Sequence, residues 1–481
     1  MKQDIKTTLQ KYFGHTDFRG LQSEVITRLM EESPGHSLVL MPTGAGKSLC
    51  YQIPAIMFDG GTIVISPLIA LMKDQVDALK KKGIKADFIN SSVTKTERDK
   101  RLEGFVYGDL KLLYVTPERF QNPDFMFSIK RANISLFVVD EAHCISEWGH
   151  DFRPEYSRLG EIRKELGNPL TIALTATATP EVQIDIIKTL GLSTKEMKTF
   201  HQGIKRPNLR LEAVECFSDE DKLEQIISVI KENPGSGIVY FSLIKTLEHF
   251  SELLDTKKIP HLIYHGKLQP KERKILQDNF MNSETMILAT NAFGMGIDKS
   301  DLRYVVHAEI PGSLESYYQE IGRAGRDGKP SLCRMLYSQE DLAIHMDFIK
   351  WSNPEPDFLK KLFGVLKNKE TQINSLGRDY LVNELFYKNR FDFRVDTALN
   401  LFDRFGITEG NIEQKNIHIK VENLPKEIID EKKYEEKLLA SQKKLLGIVQ
   451  YFRTENCRRQ AIESYFGFSG EPECQNCDVC G

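Results

Sequence analysis

The chain has 481 residues, too many for one ordinary core, and a length of this order suggests about three domains. Hydrophobic content of 41% with 28% charged residues fits a globular protein and excludes a disordered chain, and no run approaches the roughly 18 apolar residues of a membrane span. A net charge of −3 gives no global pull towards nucleic acid, so any such binding has to come from local patches. The start, MKQDIKTTLQ, lacks the apolar core of a signal peptide, so a cytoplasmic protein is expected.

Short β-branched runs alternate with helix-like stretches from the N-terminus. The strand candidates are SLVLM (37–41), GTIVIS (61–66), LKLLYVT (110–116), ISLFVVD (134–140) and LTIALTAT (170–177). After a joint around HQGIKRPNLR (201–210), the alternation restarts with GIVYFS (237–242), HLIYH (261–265), TMILAT (285–290) and RYVVHAE (303–309). Buried parallel strands with crossover helices give this pattern, so the fold class is α/β, with two tandem parallel-sheet domains. The expected division is 1–205, 206–345, an accessory α+β segment 346–445, and a terminal subdomain 446–481.

Within the accessory segment, Val395, Ala398, Leu399, Phe402 and Phe405 return with helical period, and Gly406 is placed to stop that helix. NIHIKV (416–421) reads as a short strand beyond it. A helix pair followed by a β-wing fits, as does any small α+β plug. A charged helix is expected over 426–452, and neither repeats nor low-complexity segments occur.

The chemistry begins at MPTGAGKS (41–48), which follows a strand and precedes helix-like sequence. Gly44 and Gly46 let backbone N–H groups turn towards phosphate oxygens, while Lys47 can reach the β and γ phosphates and Ser48 can ligate Mg²⁺. Met41 stands where the strict pattern has Gly, and the rival reading is a structural turn with an incidental lysine. Asp140 ends a buried-strand run, the place for a residue holding Mg²⁺ through water, and Glu141 is placed to polarise the attacking water. Directly behind this pair, Trp148, His150, Phe152, Arg153 and Tyr156 crowd a loop with Gly149 and Pro154.

YYQEIGRAGRDG (317–328) sets Arg323 and Arg326 three apart, which places them on one side of a helical turn. They can serve as nucleic acid phosphate ligands, as structural ion pairs, or as arginine fingers on a γ-phosphate; the finger reading explains the order of the two domains. Of eight cysteines, Cys50, Cys144, Cys216 and Cys333 are scattered and expected to be buried, inert thiols. Cys457, Cys474, Cys477 and Cys480 gather at the end and offer four thiolates for tetrahedral Zn²⁺, with an iron–sulfur cluster or unrelated thiols as rivals.

DEAH (140–143), TAT (175–177), ATNAFGMGID (289–298) and QEIGRAGRDG (319–328) resemble the ordered motifs of superfamily-2 helicases. YFGHTDFRGLQ (12–22), SEWGHDFRPEY (146–156) and ENCRRQAIESYFG (455–467) narrow the resemblance to the RecQ family of ATP-dependent DNA helicases. The resemblance implies two RecA-like domains, a zinc-binding subdomain and 3′→5′ translocation. It implies an ATP site of Phe13, Arg19, Gln22, Thr43, Gly44, Ala45, Gly46, Lys47 and Ser48, with Gln22 on the adenine edge.

By the same resemblance, Gln319, Arg323 and Arg326 close on ATP from the second domain. Ser66, Pro67, Thr116, Pro117 and Glu118, then Thr290 and Asn291, match strand-end loops that touch the DNA backbone. His143 couples the ATP site to DNA, and Trp148, His150, Phe152 and Arg153 match an aromatic-rich loop that senses DNA. Implied partners are single-stranded DNA and single-strand/double-strand junctions, with single-strand-binding or recombination proteins as candidates. A monomer is expected, with nucleoid association if the source is bacterial.

The chain departs from the family in a longer stretch within 356–435, in Glu147 where many members carry Gln, and in ending just after Cys480. Accessory domains beyond the zinc site are therefore expected to be absent, leaving the extra stretch as a candidate substitute for junction recognition. An RNA helicase of the same superfamily is one alternative. The other is a zinc-dependent DNA-binding or annealing protein with a relict ATP site.

Overall fold

Apolar side chains along the N-terminal strands divide between two faces of one sheet. In β1 (His36–Leu40), Leu38 and Leu40 join one core and Val39 the other; in β2 (Gly61–Ile65), Ile63 and Ile65 divide from Val64 in the same way. With β3 (Ala86–Ile89), β4 (Leu112–Val115), β5 (Ile134–Val139), β6 (Leu170–Thr175) and β7 (Met197–His201), they form a seven-stranded sheet in the order β3-β4-β2-β5-β6-β1-β7. Every pairing in it is parallel. Each fully buried Val, Leu or Ile contributes about 1.5–3 kcal/mol as an upper estimate, so the two-sided core dominates. The computed structural model describes residues 2–481 except 32–34, 43, 68, 91, 147–152, 295, 296, 298, 386–392, 471 and 472.

A second parallel sheet follows, built from β8 (Leu209–Glu215), β9 (Gly237–Tyr240), β10 (His261–Tyr264), β11 (Met286–Ala289), β12 (Tyr304–His307) and β13 (Ser331–Tyr337). Its order is β10-β11-β9-β12-β13-β8. Gly237 pairs with Tyr304, and a Cβ there would lie 2.1 Å from the tyrosine ring, so only glycine lets β9 and β12 meet. Parallel strands put all carboxyl ends on one edge of each sheet. Met41–Ser48, Ser66–Pro67, Thr116, Asp140–Glu141 and Ala176–Thr177 leave that edge of the first sheet, and Thr290–Asn291 and Ala308–Glu309 leave it in the second. Ligands of open α/β sheets bind at this edge.

All nine strands predicted for the two parallel sheets occur, and four more in those sheets were missed, each for a physical reason. β7 lies at a sheet edge and reads MKTFH, while β3 is a half-buried edge strand; neither carries a continuous apolar run. β8 alternates Leu with Arg and Glu and lies where the sequence suggests only a joint. β13 buries Arg334, whose guanidinium pairs with Glu212 of β8, so its charge hides an otherwise apolar strand.

Residues 338–449 form a separate compact unit. Helices 339–352, 356–376, 378–385 and 394–404 precede a short antiparallel hairpin, β14 (Thr408–Glu409) with β15 (His418–Ile419). Val395, Ala398, Leu399 and Phe402 are buried as the period predicts, but Phe405 is 43% exposed because it falls at the helix end, before Gly406 at φ +64°. The carboxamide of Asn374 both donates to and accepts from the Ile417 backbone at 2.9 Å, tying the long helix to the hairpin segment. Helices followed by a short hairpin are compatible with a winged-helix-like unit and equally with any small α+β plug. The charged helix runs from Glu431 to Arg453 and passes through Gly447. Among the described residues, no helix is long and apolar enough to cross a membrane.

Candidate functional site

Gly44 (φ +82°) and Gly46 (φ +79°) take the left-handed backbone that lets the loop after β1 fold over itself. Gln22, 2% exposed, clamps this loop: its Nε2 donates to Ala45 O and Gly46 O at 3.1 Å, and its Oε1 accepts the Arg19 N–H at 2.9 Å. A Cβ at residue 46 would lie 2.5 Å from that Nε2, so a second reason for glycine is close approach. Arg19 is exposed, and Phe13 is half-buried with Lys82 Nζ 5.3 Å from its ring centre. Lys47 Nζ donates to Met41 O at 3.3 Å, and Ser48 stands at the N-cap position of the helix Leu49–Met57 without a side-chain capping bond. Thr43 lies outside the described residues.

Asp140 and Glu141 follow β5. Burial first, then the neighbouring Glu141 charge, pushes the Asp140 carboxyl up to about 7, while Lys47 pulls it down. Glu141 adopts a left-handed backbone (φ +48°), which costs a non-glycine residue on the order of 1–2 kcal/mol and is held by its N–H donating to Asp140 Oδ1 at 3.0 Å. His143 Nδ1 lies 3.4 Å from Glu141 Oε2 and 2.9 Å from Thr175 Oγ1. Thr175 in turn donates to Thr177 O at 3.0 Å, and Thr177 Oγ1 accepts from Gln319 Nε2 at 3.3 Å. Hydrogen bonds therefore run from His143 to the second sheet's domain, with Glu141 Oε2 beside the near end. The threonines carry no local signature beyond the TAT motif.

Of the aromatic loop, Trp148, His150 and Phe152 lie outside the described residues. Arg153 is described: its Nη1 donates to Pro67 O at 3.2 Å, which joins this loop to the segment after β2. Tyr156, buried, donates to Asp140 O at 3.4 Å, a contact sequence reasoning did not find. Ser66 and Thr116 are buried, and so is Thr290, whereas Glu118 and Asn291 are exposed.

The two arginines do not share a helical turn. The helix ends at Ile321, Gly322 caps it, and Gly325 at φ +55° turns the chain away, so Arg323 and Arg326 lie in successive turns beyond it. Arg323 donates through Nη1 to Gly294 O in its own domain. Arg326 donates to Ile297 O at 2.9 Å, and its side chain lies against the phosphate loop: a Cβ at Gly44 would sit 3.5 Å from Arg326 Cγ and Cδ. Arg326 is thus the one that reaches across.

The sulfurs of Cys457, Cys474, Cys477 and Cys480 all lie within 4.8 Å of one another, with Cys474–Cys480 at 3.6 Å and Cys477–Cys480 at 3.3 Å. Zinc bonded to four sulfurs at about 2.3 Å requires S···S separations of about 3.8 Å, so these residues fit the ion. Both adjacent arginines are engaged by protein: Arg458 forks onto Asp478 at 2.8 and 3.0 Å, and Arg459 donates to Leu209 O at 3.0 Å. Asp478 also accepts the Ala213 N–H, and Asn476 and Asp478 bond the Leu211 backbone, so the cysteine loop covers the free edge of β8. The other four cysteines are buried, and burial pushes the Cys50 and Cys333 thiols up to about 12.

Three sequence families match the chain: DEAD/DEAH box helicase over residues 19–185, helicase conserved C-terminal domain over 220–328, and RecQ zinc-binding over 420–481. The ATP-dependent DNA helicase RecQ of Bacillus subtilis is 46% identical over 357 residues, covering 74% of this chain and 60% of that protein. The probable ATP-dependent DNA helicase RecS of the same organism is 35% identical over 483 residues, covering 99% of this chain and 92% of that protein. The chain thus spans less than two thirds of the first relative and nearly all of the second. Saccharomyces cerevisiae Dbp5 bound to RNA and ADP BeF3 matches at 19% identity with a TM-score of 0.56, covering 72% of this chain and 90% of that one. Mycobacterium smegmatis Lhr bound to single-stranded DNA and AMP-PNP matches at 16% and 0.53, covering 86% and 60%. These two likenesses show the fold.

Proposed function

Because the chain belongs to the RecQ family of ATP-dependent DNA helicases, we propose that it couples ATP hydrolysis to 3′→5′ translocation on single-stranded DNA and to duplex unwinding in DNA repair or recombination. The observation that carries this reading is Arg326, from the second parallel-sheet domain, lying against Gly44 of the phosphate loop in the first. A motor of this type needs its ATP site completed from across a cleft, so that hydrolysis can open and close the two halves.

In this reading Lys47 holds the β and γ phosphates, Ser48 and Asp140 hold Mg²⁺, and Glu141 polarises water. The metal supplies charge neutralisation on the phosphates. Gln22, Phe13 and Arg19 serve the adenine end, and Gln319, Arg323 and Arg326 act from the second domain. Ser66, Pro67, Thr116, Thr290 and Asn291, all at carboxyl ends of strands, contact the DNA backbone, giving affinity without sequence preference. Single-strand/double-strand junctions are the substrate, with unit 338–449 as the candidate recognition element. Cys457, Cys474, Cys477 and Cys480 hold a structural zinc ion.

The loop of Trp148, His150, Phe152 and Arg153 reports DNA to Glu141 by way of His143. Arg153 on Pro67 and Tyr156 on Asp140 support this, since one strap then touches a DNA-contact segment and the metal ligand. Trp148→Ala or Phe152→Ala is expected to keep folding and ATP binding while removing stimulation of hydrolysis by single-stranded DNA. Assays with DNA and RNA oligonucleotides check this. A lowered melting temperature with stimulation retained would make the rings core residues, and stimulation of the wild type by RNA alone would make the enzyme an RNA helicase.

A further inference from the structure

His307, at the carboxyl end of β12, is 1% exposed and takes no part in the steps above. Its ring lies between two tyrosines: Tyr240 stacks at 5.4 Å with planes 24° apart, and Tyr317 sits tilted at 5.1 Å. His307 Nε2 lies 2.7 Å from Glu320 Oε2, so the imidazole N–H donates to that carboxylate. Nδ1 has no hydrogen-bond partner among the described residues.

Glu320 occupies a sensitive place. It follows Gln319, which reaches Thr177 of the first domain, and its carbonyl accepts the Arg323 N–H at 3.2 Å. The Tyr240 hydroxyl donates to Phe293 O at 3.0 Å and Arg323 donates to the adjacent Gly294 O, so Glu320, His307, Tyr240 and Arg323 share one neighbourhood. A carboxylate left without the imidazole there would be drawn to a guanidinium, because a half-buried charge still gains from the nearest opposite one. An arginine paired in that way is lost to the nucleotide.

We propose that His307 is a positioning residue that holds the Glu320 carboxylate on the β12 side, keeping Arg323 and Arg326 available for nucleotide phosphates. The proposal rests on the nucleotide-site reading above. It differs from a plain packing role in one respect: the harm done by losing His307 comes from the Glu320 charge, so removing that charge repairs it.

The test is steady-state ATP hydrolysis with a single-stranded oligonucleotide, using wild type, Lys47→Ala, His307→Phe, Glu320→Gln and the His307→Phe/Glu320→Gln pair. His307→Phe keeps the aromatic stack and is expected to lower kcat by about tenfold or more, with a smaller change in KM for ATP. The double variant is expected to recover most of that loss, and His307→Gln, which keeps an N–H donor, to stay near wild type. A double variant as slow as His307→Phe, or a His307→Gln as slow as the Phe variant, would overturn the proposal in favour of packing. Wild-type hydrolysis that survives Lys47→Ala would overturn the nucleotide-site reading itself, and the proposal with it.

Discussion

Lys47→Ala and Glu141→Gln are each expected to abolish DNA-stimulated ATP hydrolysis. Lys47 lies across the loop with its ammonium on Met41 O at 3.3 Å. Alanine removes the one cation of the loop that can follow charge onto the leaving phosphate. Glu141→Gln keeps the shape of the side chain and its strained backbone but removes its basicity, a loss of about 10²–10⁴ in rate for a general base. Folding and nucleotide binding should survive the Gln change, since Glu141 Oε2 has no hydrogen-bond partner among the described residues. A stopped assay of phosphate release, with and without single-stranded DNA, checks both. Unchanged hydrolysis in either variant would remove the two residues from the mechanism.

The second large effect concerns the cysteine cluster. A structural zinc ion of this kind contributes about 10–16 kcal/mol to folding, comparable with the roughly 5–15 kcal/mol net stability of a whole domain. Removing it should therefore unfold the module that it organises. That module is tied in at several points: Arg458 and Asp478 pair at its base, the loop 476–478 covers the β8 edge, and Tyr465 donates to Glu315 at 2.9 Å. Cys477→Ser, or extraction with a strong chelator, is expected to release zinc, lower the melting temperature and expose an edge strand that promotes aggregation. Metal analysis and a thermal melt read the result. Complete loss of metal with an unchanged melt would mean that the four thiols are not a structural site.

The parts of the fold legible in the sequence were those with two-sided burial. ISLFVVD and GTIVIS announce themselves because both faces of their strands are covered, and the phosphate loop does so because its glycines and GKS occupy adjacent positions. β8 and β13 stayed hidden because their charged residues find each other across the sheet, Glu212 with Arg334, a pairing of positions far apart in the chain. The same holds within the site. Gln22 on the loop carbonyls, Tyr156 on Asp140, Asp478 on Arg458 and Glu320 on His307 are long-range partnerships, and a single sequence gives no spacing from which to read them. Arg323 and Arg326 were placed on a helix because three-residue spacing suits one. Gly322 and Gly325 end it first, and that is what directs only Arg326 towards Gly44. In the unit 338–449, the 3.6-residue period found the helix 394–404 but failed at Phe405, where the helix has already stopped.

A directional motor driven by an ATP site shared between two parallel-sheet domains must distinguish the two polarities of a tailed duplex. Strand displacement from two partial duplexes, one with a 3′ and one with a 5′ single-stranded tail, in ATP and Mg²⁺, reads this out. Unwinding of the 3′-tailed duplex by the wild type is expected, with little from the 5′-tailed one and none from Lys47→Ala on either. Equal unwinding of both tails would contradict the direction, and strand separation that persists in Lys47→Ala would contradict the motor.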